Sequence, residues 1–228
     1  MQLFIGNKNY SSWSMRPWVL MRHFGLPFTE VKLRFDSFAP DSAFKQALAS
    51  LHSPTGKVPL LLEDDGFAVW DTLAIAEHLA EHFPEHALWP RDARQRSRAR
   101  SLCAEMHSGF GALRSHCPMN IEAHLPEVGA QVLAEQAGVR ADLARLCQMW
   151  QAALAQSGGP FLFGEFGIAD AFFAPVVSRL LSYHLPVPQD VAAYMQRVWA
   201  SPGVAAWVAD ALAEQDFLDF EEPYRRKP

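Results

Sequence analysis

Two groups of residues have the types and spacing that chemistry needs. Ser11, Ser12 and Ser14 stand just before and at the start of a stretch with helical spacing. A hydroxyl there sits among free N–H groups at the positive end of a helix dipole, a place that favours anions and lets a serine donate to a thiolate carried in by a ligand. One serine is also expected as a plain N-cap. The second group lies in residues 55–83. Lys57 and Val58 precede Pro59 at the head of an apolar run, and Asp71-Thr72 opens a helix. Proline cannot donate to a ladder, so Pro59 belongs at an edge, at a strand's first residue or in a cis turn.

A third constellation, His78-Leu79-Ala80-Glu81-His82, matches the H-x-x-E-H metallopeptidase pattern, with His86 nearby. With Leu79, Ala80 and Phe83 facing a core, His78 and His82 point to solvent. Pro84 separates His86 from the helix, and no downstream acidic ligand pattern is evident, so no metal is expected. Cys103, Cys117 and Cys147 are odd in number and widely spaced. That pattern suggests neither a disulfide framework nor a zinc knuckle, and it fits a reducing compartment.

The elements that must position these groups follow from periodicity. Residues 3–6 read as a strand, 15–24 as a helix stopped by Gly25, and 28–35 as an alternating strand. Residues 41–51 read as a short helix. Then come a strand (58–62), turn chemistry at Glu63-Asp64-Asp65-Gly66, a strand (67–70) and a helix over 71–83 ended by Pro84. Residues 84–91 hold two prolines and no period, which places a domain boundary there. Beyond it every pattern is helical: Ala99, Leu102, Cys103, Met106, Phe110 and Leu113 share one face, and further helices read at 128–133, 143–154, 168–181, 191–199 and 204–212. The tail from Glu221 onward reads as frayed. The 228 residues are half apolar and carry a formal charge of -5, so a large core is possible and general nucleic-acid binding is not expected. Arg91, Arg94, Arg96, Arg98 and Arg100 read as a solvated helix start. The apolar N-terminus is too short for a signal peptide and no run approaches a membrane span, so a cytoplasmic protein is expected.

The order βαβ-α-ββα resembles the thioredoxin fold, in which active residues lie where the first strand turns into the first helix. Thioredoxin-like reductants carry two cysteines at that junction; this chain carries none, which excludes disulfide exchange there. Gly56-Lys57-Val58-Pro59, the hairpin, Asp71-Thr72, Phe161-Leu162-Phe163-Gly164 and Ile168-Ala169-Asp170 together resemble the glutathione transferase family along the whole chain. The resemblance implies an α+β/α two-domain protein: a thioredoxin-like glutathione-binding domain (1–83), a linker (84–91) and an all-helical domain (92–228) forming much of the electrophile site.

Tyr10-Ser11-Ser12-Trp13-Ser14-Met15-Arg16 is similar to the serine-dependent zeta and tau classes, with Trp13 where the zeta run has Cys and Met15 where it has Trp. By that likeness Ser11 is the catalytic serine and Ser12 its understudy. Val58 would pair with the cysteinyl part of glutathione beside a cis bond to Pro59. Asp71 and Thr72, where the family has Glu-Ser, would hold the ammonium and γ-glutamyl carboxylate, and Lys57 the glycyl carboxylate. Trp13, Met106, His107, Phe110 and Arg114 would face the electrophile, although Met106 and Phe110 also read as ordinary core. Gly167, where the family has a hydroxyl residue, leaves half of a capping box. The resemblance implies a homodimer that conjugates glutathione, used as co-substrate without a metal, to a small hydrophobic electrophile. The alternatives are a glutathione-dependent cis-trans isomerase acting on a dienone acid, and a non-catalytic glutathione- or protein-binding protein of the same fold.

Overall fold

The computed structural model describes residues 1–51 and 53–226. Strand β1 (Gln2–Ile5) is interior to a four-stranded sheet of order β2-β1-β3-β4. It pairs in parallel with β2 (Thr29–Lys32) and antiparallel with β3 (Leu60–Leu62), which pairs antiparallel with β4 (Ala68–Trp70). Phe4 therefore faces Val31 on one side and Leu60 on the other. Leu3, Ile5, Leu60 and Leu61 are buried, whereas the edge strand β2 is mostly exposed. The alternating pattern over 28–35 thus yields a four-residue strand at the margin.

Helix α1 (Ser12–Phe24) is apolar on most sides and packs on α8 and α10 of the helical part. It ends at Gly25, whose left-handed φ of 66° lets Gly25 and Leu26 close the last turn onto Arg22 and Met21. Pro17 lies inside this helix. It lacks the N–H that would bond the carbonyl four residues back, at Trp13. The Thr72 hydroxyl donates to that Trp13 carbonyl instead, at 3.0 Å. Thr72 is the first residue of α3 (Thr72–His82), so the helix breaker in α1 is satisfied by the start of α3. Helix α2 (Ala43–Ser50) is capped by the Ser42 hydroxyl.

The remaining helices are α4 (Ala93–Ser108), α5 (Gly111–His116), α6 (Pro126–Glu135), α7 (Ala137–Ser157), α8 (Ile168–Ser182), α9 (Gln189–Ala200) and α10 (Pro202–Glu214), then a 3₁₀ turn at Asp219–Glu221. The face read as one helix from Ala99 to Leu113 is broken: Gly109 closes α4 onto the Glu105 carbonyl and Phe110 takes a left-handed φ of 55°. Glycine weakens the helix at that point, yet all six apolar residues of the face stay buried. The thioredoxin-like and helical parts share one apolar core. Trp18 of α1 meets Trp207 of α10 edge-on at 5.3 Å. Gly203 lets α10 approach α1 closely, since a Cβ there would lie 2.4 Å from the Val19 carbonyl oxygen.

The tail corrects its expected fraying. Glu222 is buried and accepts from the Tyr10 hydroxyl at 2.7 Å, Tyr224 donates to the His116 carbonyl, and Arg225 pairs with Glu222 and Glu122. Lys227 and Pro228 lie outside the described residues. No helix among the described residues is long and apolar enough to cross a membrane.

Helix α8 is buried nearly throughout, and Asp170 supplies the one half of the capping box that Gly167 leaves possible. That carboxylate accepts from the Gly167 N–H at 3.0 Å, the Leu162 N–H at 3.2 Å and the Tyr194 hydroxyl at 3.0 Å. Burial pushes its pKa up to about 6 against these three donors. Removing it strands three donors in the core, so Asp170→Ala is expected to cost about 3 kcal/mol in urea unfolding, with Asp170→Asn costing less because it keeps one acceptor.

Candidate functional site

Two cavities open beside the start of α1. The first, of about 380 Å³, is lined by the sequence-selected Trp13, Lys57, Val58, Pro59, Asp71, Thr72 and His107, with Thr55 and Trp70. The Val58–Pro59 peptide is cis. Val58 lies two residues before the start of β3, outside the β1–β3 register, and lines this cavity. Asp71 caps α3 at a left-handed φ of 73°: one oxygen accepts from the Leu73 N–H at 2.8 Å and the other lies 3.3 Å from His107 Nε2. A non-glycine residue held at such a φ is a common mark of a ligand clamp. The Thr72 hydroxyl, expected on a carboxylate, has its proton committed to Trp13, which leaves the first-turn N–H groups of α3 as the anion donors.

The second cavity, of about 360 Å³, touches both serines and shares Trp13, Lys57 and Val58 with the first. Ser11 is the N-cap of α1 but makes no cap hydrogen bond. Its hydroxyl donates to Ser14 Oγ at 2.8 Å, and Ser14 Oγ also accepts from the Gly6 N–H at 3.2 Å. Ser12 Oγ accepts from Arg179 at 3.4 Å. Ser14 itself is fully buried, an anchor behind the site.

Of the residues expected to wall the electrophile, Trp13 lies between the cavities and His107 lines the first. Met106 and Phe110 belong to the core and line neither cavity. Arg114 is half-buried with its guanidinium 5.6 Å from the Trp13 ring centre. The apolar wall of the second cavity comes instead from Tyr10, Phe35, Phe38 and Phe44, with Glu221 of the tail. The clustering of Phe35, Phe38 and Phe44 was present in the sequence, but no period marks it, since they span a strand end, a loop and a helix.

Three guanidiniums surround the serine turn. Arg16 donates to the Phe172 and Ser12 carbonyls at 3.0 and 2.7 Å and stacks on Trp13 at 4.3 Å. Arg179 is 5% exposed, reaches the Pro175 carbonyl and Ser12 Oγ, and leaves its Nε without a partner. Arg114 donates to the His107 carbonyl. Among the described residues, none of the three has a carboxylate within ion-pair distance. Burial, then the neighbouring Arg114, lowers the pKa of Arg179 to about 10; burial, then Arg179, depresses that of Arg16. The serine turn therefore sits beside three guanidiniums that have no carboxylate in ion-pair contact among the described residues. Arg179→Met removes a costly, ill-paired charge and is expected to leave urea stability unchanged or raised. Arg16→Met strands two buried carbonyls and is expected to cost about 2 kcal/mol or more.

Comparison with known proteins agrees with this architecture. The glutathione S-transferase N-terminal domain model matches residues 10–82 and the C-terminal domain model residues 122–210. Glutathione S-transferase GstA of Escherichia coli O157:H7 is 29% identical over 171 residues, covering 72% of this chain and 76% of that protein. A glutathione transferase homolog from Burkholderia gl BGR1, solved with bound glutathione, superposes with a TM-score of 0.69 at 26% identity, covering 94% of this chain and 98% of the other. A tau class glutathione S-transferase from mango, Mangifera indica L., shares the fold with a TM-score of 0.70 at 18% identity, over 93% of this chain and 95% of that one. With both family models in their expected places and the two-part fold matched nearly end to end, the chain belongs to the glutathione transferase family.

Proposed function

We propose that the protein binds glutathione in the first cavity and activates it as a thiolate, with Ser11 as donor, for attack on a small hydrophobic electrophile in the second. The observation that carries this reading is the shared seam: Trp13, Lys57 and Val58 line both cavities, and both serines open onto the second. Val58 offers backbone groups to the cysteinyl part, the start of α3 takes the γ-glutamyl carboxylate, Asp71 lies where an ammonium would dock, and exposed Lys57 reaches the glycyl end. Ser14 Oγ already accepts from the Gly6 N–H, so the Ser14 proton is free to turn toward Ser11 and release the Ser11 proton to sulfur.

A free thiol titrates near pH ~8.5, so little is ionised at neutrality. Lowering that value by about two units, through Ser11, the α1 dipole and the guanidinium field, stabilises the thiolate by roughly 2.7 kcal/mol. The thiol proton leaves to solvent. The sulfur lone pair then forms the new bond to carbon as the leaving group departs with its bonding pair or, at an activated double bond, as the π pair moves onto the acceptor, which takes up a proton from solvent. Proximity across the seam adds to the rate. The reading includes a cytoplasmic homodimer of the family's usual kind.

A second reading, glutathione-dependent isomerisation of a dienone acid, is favoured by one observation: Arg16, Arg114 and Arg179 crowd the serine turn without a carboxylate, and an acidic substrate supplies that counter-charge. One experiment addresses both. Glutathione is titrated against the parent, Ser11→Ala and Ser12→Ala while thiolate absorbance is followed, and turnover is measured with a neutral aryl halide and with an acidic cis-dienone. A parent thiolate band at neutral pH, lost in Ser11→Ala with a roughly 10²-fold fall in kcat/KM, is expected. Binding without a thiolate band or turnover leaves the non-catalytic binder. Turnover of the acidic dienone alone, with a KM raised by Arg179→Met, selects the isomerase.

A further inference from the structure

We propose that Glu63, His78 and His82 form a binding site for a divalent transition-metal ion of the zinc type, at the outer corner where the β3–β4 hairpin meets α3. The three side chains each bring one ligand atom, all within 4.8 Å of one another. His78 and His82 are four apart on α3, so their imidazoles project from one side of the helix, with ring centres 5.6 Å apart and planes inclined by 29°. Glu85, the first acid downstream of the motif, lies past Pro84 and is not one of the trio. The fold supplies an upstream one: Glu63, at the end of β3, places Oε1 2.8 Å from His78 Nε2. Glu81, the acid inside the motif, is not one of the trio.

A tetrahedral ion with ligands at about 2.0–2.2 Å needs donor atoms roughly 3.3–3.5 Å apart. Small side-chain rotations reach that spacing, because the backbones are already held. Glu63 is fixed by the hairpin bonds from its N–H to the Phe67 carbonyl and from the Gly66 N–H to its own carbonyl, at 2.9 and 3.0 Å. The histidines ride on α3, anchored by the buried Ile75, Ala76 and Leu79. The Glu63 and His78 side chains are 17% and 24% exposed, and Phe67 lies 6.3 Å from His78, so part of the site is shielded from water while His82 stays accessible as the entry side. Two imidazoles and one carboxylate suit zinc, nickel or copper and not magnesium or calcium, which take all-oxygen sets. The ion would brace the hairpin to the helix whose first turn carries Asp71 and Thr72. It takes no part in thiol chemistry, so the inference stands apart from the proposed function.

The test uses the full-length, untagged, chelator-treated protein at pH 7.5. Isothermal titration with Zn²⁺, and absorbance on adding Co²⁺, are expected to show one saturable ion per chain with a d–d band of low coordination number. Zn²⁺ is expected to raise the urea midpoint. Glu63→Gln, His78→Ala and His82→Ala should each weaken Zn²⁺ binding about tenfold or more, with circular dichroism unchanged. His124→Ala, which removes one of another imidazole pair in contact at 3.1 Å, should leave it intact. No saturable binding overturns the proposal. So does binding that survives all three trio substitutions, binding that follows His124, or a site that Mg²⁺ fills and Zn²⁺ does not.

Discussion

The site depends on one carbonyl. Pro17 inside α1 leaves the Trp13 C=O without its helical donor, and the Thr72 hydroxyl fills the gap at 3.0 Å. That bond fastens the serine turn at the head of α1 to the head of α3, which are 59 residues apart in the chain. Both helix starts then converge on the same space. Two positive dipole ends, one bearing hydroxyls and the other free N–H groups, meet around Trp13. A helix breaker placed elsewhere in α1 would leave the Trp13 carbonyl to its own helix and remove this link between the two helix starts.

Charge is handled in two ways at the α1 seam, and the contrast is informative. Lys8 is buried, but its ammonium meets Glu30 at 2.7 Å and Asp210 at 2.5 Å and lies over the Trp18 ring. It is a paired cation that joins the β1–α1 loop to α10. Arg16 and Arg179 are as deeply buried, and their hydrogen bonds go to carbonyls, a hydroxyl and a thioether, with the Trp13 ring against Arg16. Burying a charge without a counter-ion costs several kcal/mol. The same seam thus neutralises one buried cation with two carboxylates and leaves two others without an ion-pair partner among the described residues.

Elements with a clean period were legible from the residues: the strand–helix–strand start, the hairpin after Pro59, and the apolar α8. The two-part fold followed from their order. That Lys57, Val58, Pro59, Asp71 and Thr72 belong together was legible because their signals are local, a proline heading a strand and an acid and hydroxyl opening a helix; they line one cavity. What escaped depended on tertiary context. The α4–α5 break hinges on a single left-handed residue, Phe110, inside a face whose apolar spacing runs straight through it. Periodicity reports which side is buried, and that stayed correct; it does not report whether the backbone is continuous. For the same reason Met106 and Phe110 carried a core signal that could not be told apart from a pocket signal.

The tail shows the same limit from the other direction. Polar, proline-containing residues after Leu218 have the composition of a frayed end, yet Glu221 lines the second cavity and Glu222 grips the Tyr10 hydroxyl beside the serines. Burial and the adjacent Glu222 carboxylate push the Glu221 carboxyl up to about 6. An acid whose folded pKa is raised favours the folded state below its unfolded value, and this contribution is lost as pH rises through about 6. Near neutrality Glu221 therefore holds its place at an electrostatic cost, offset by the bonds of Glu222, Tyr224 and Arg225 around it. A negative charge kept at that cost on the wall of an otherwise aromatic cavity opposes anions there. With the guanidinium of Arg179 on the Ser12 hydroxyl, the two serines stand between a buried cation on α8 and a cavity wall of Phe35, Phe38, Phe44 and Glu221.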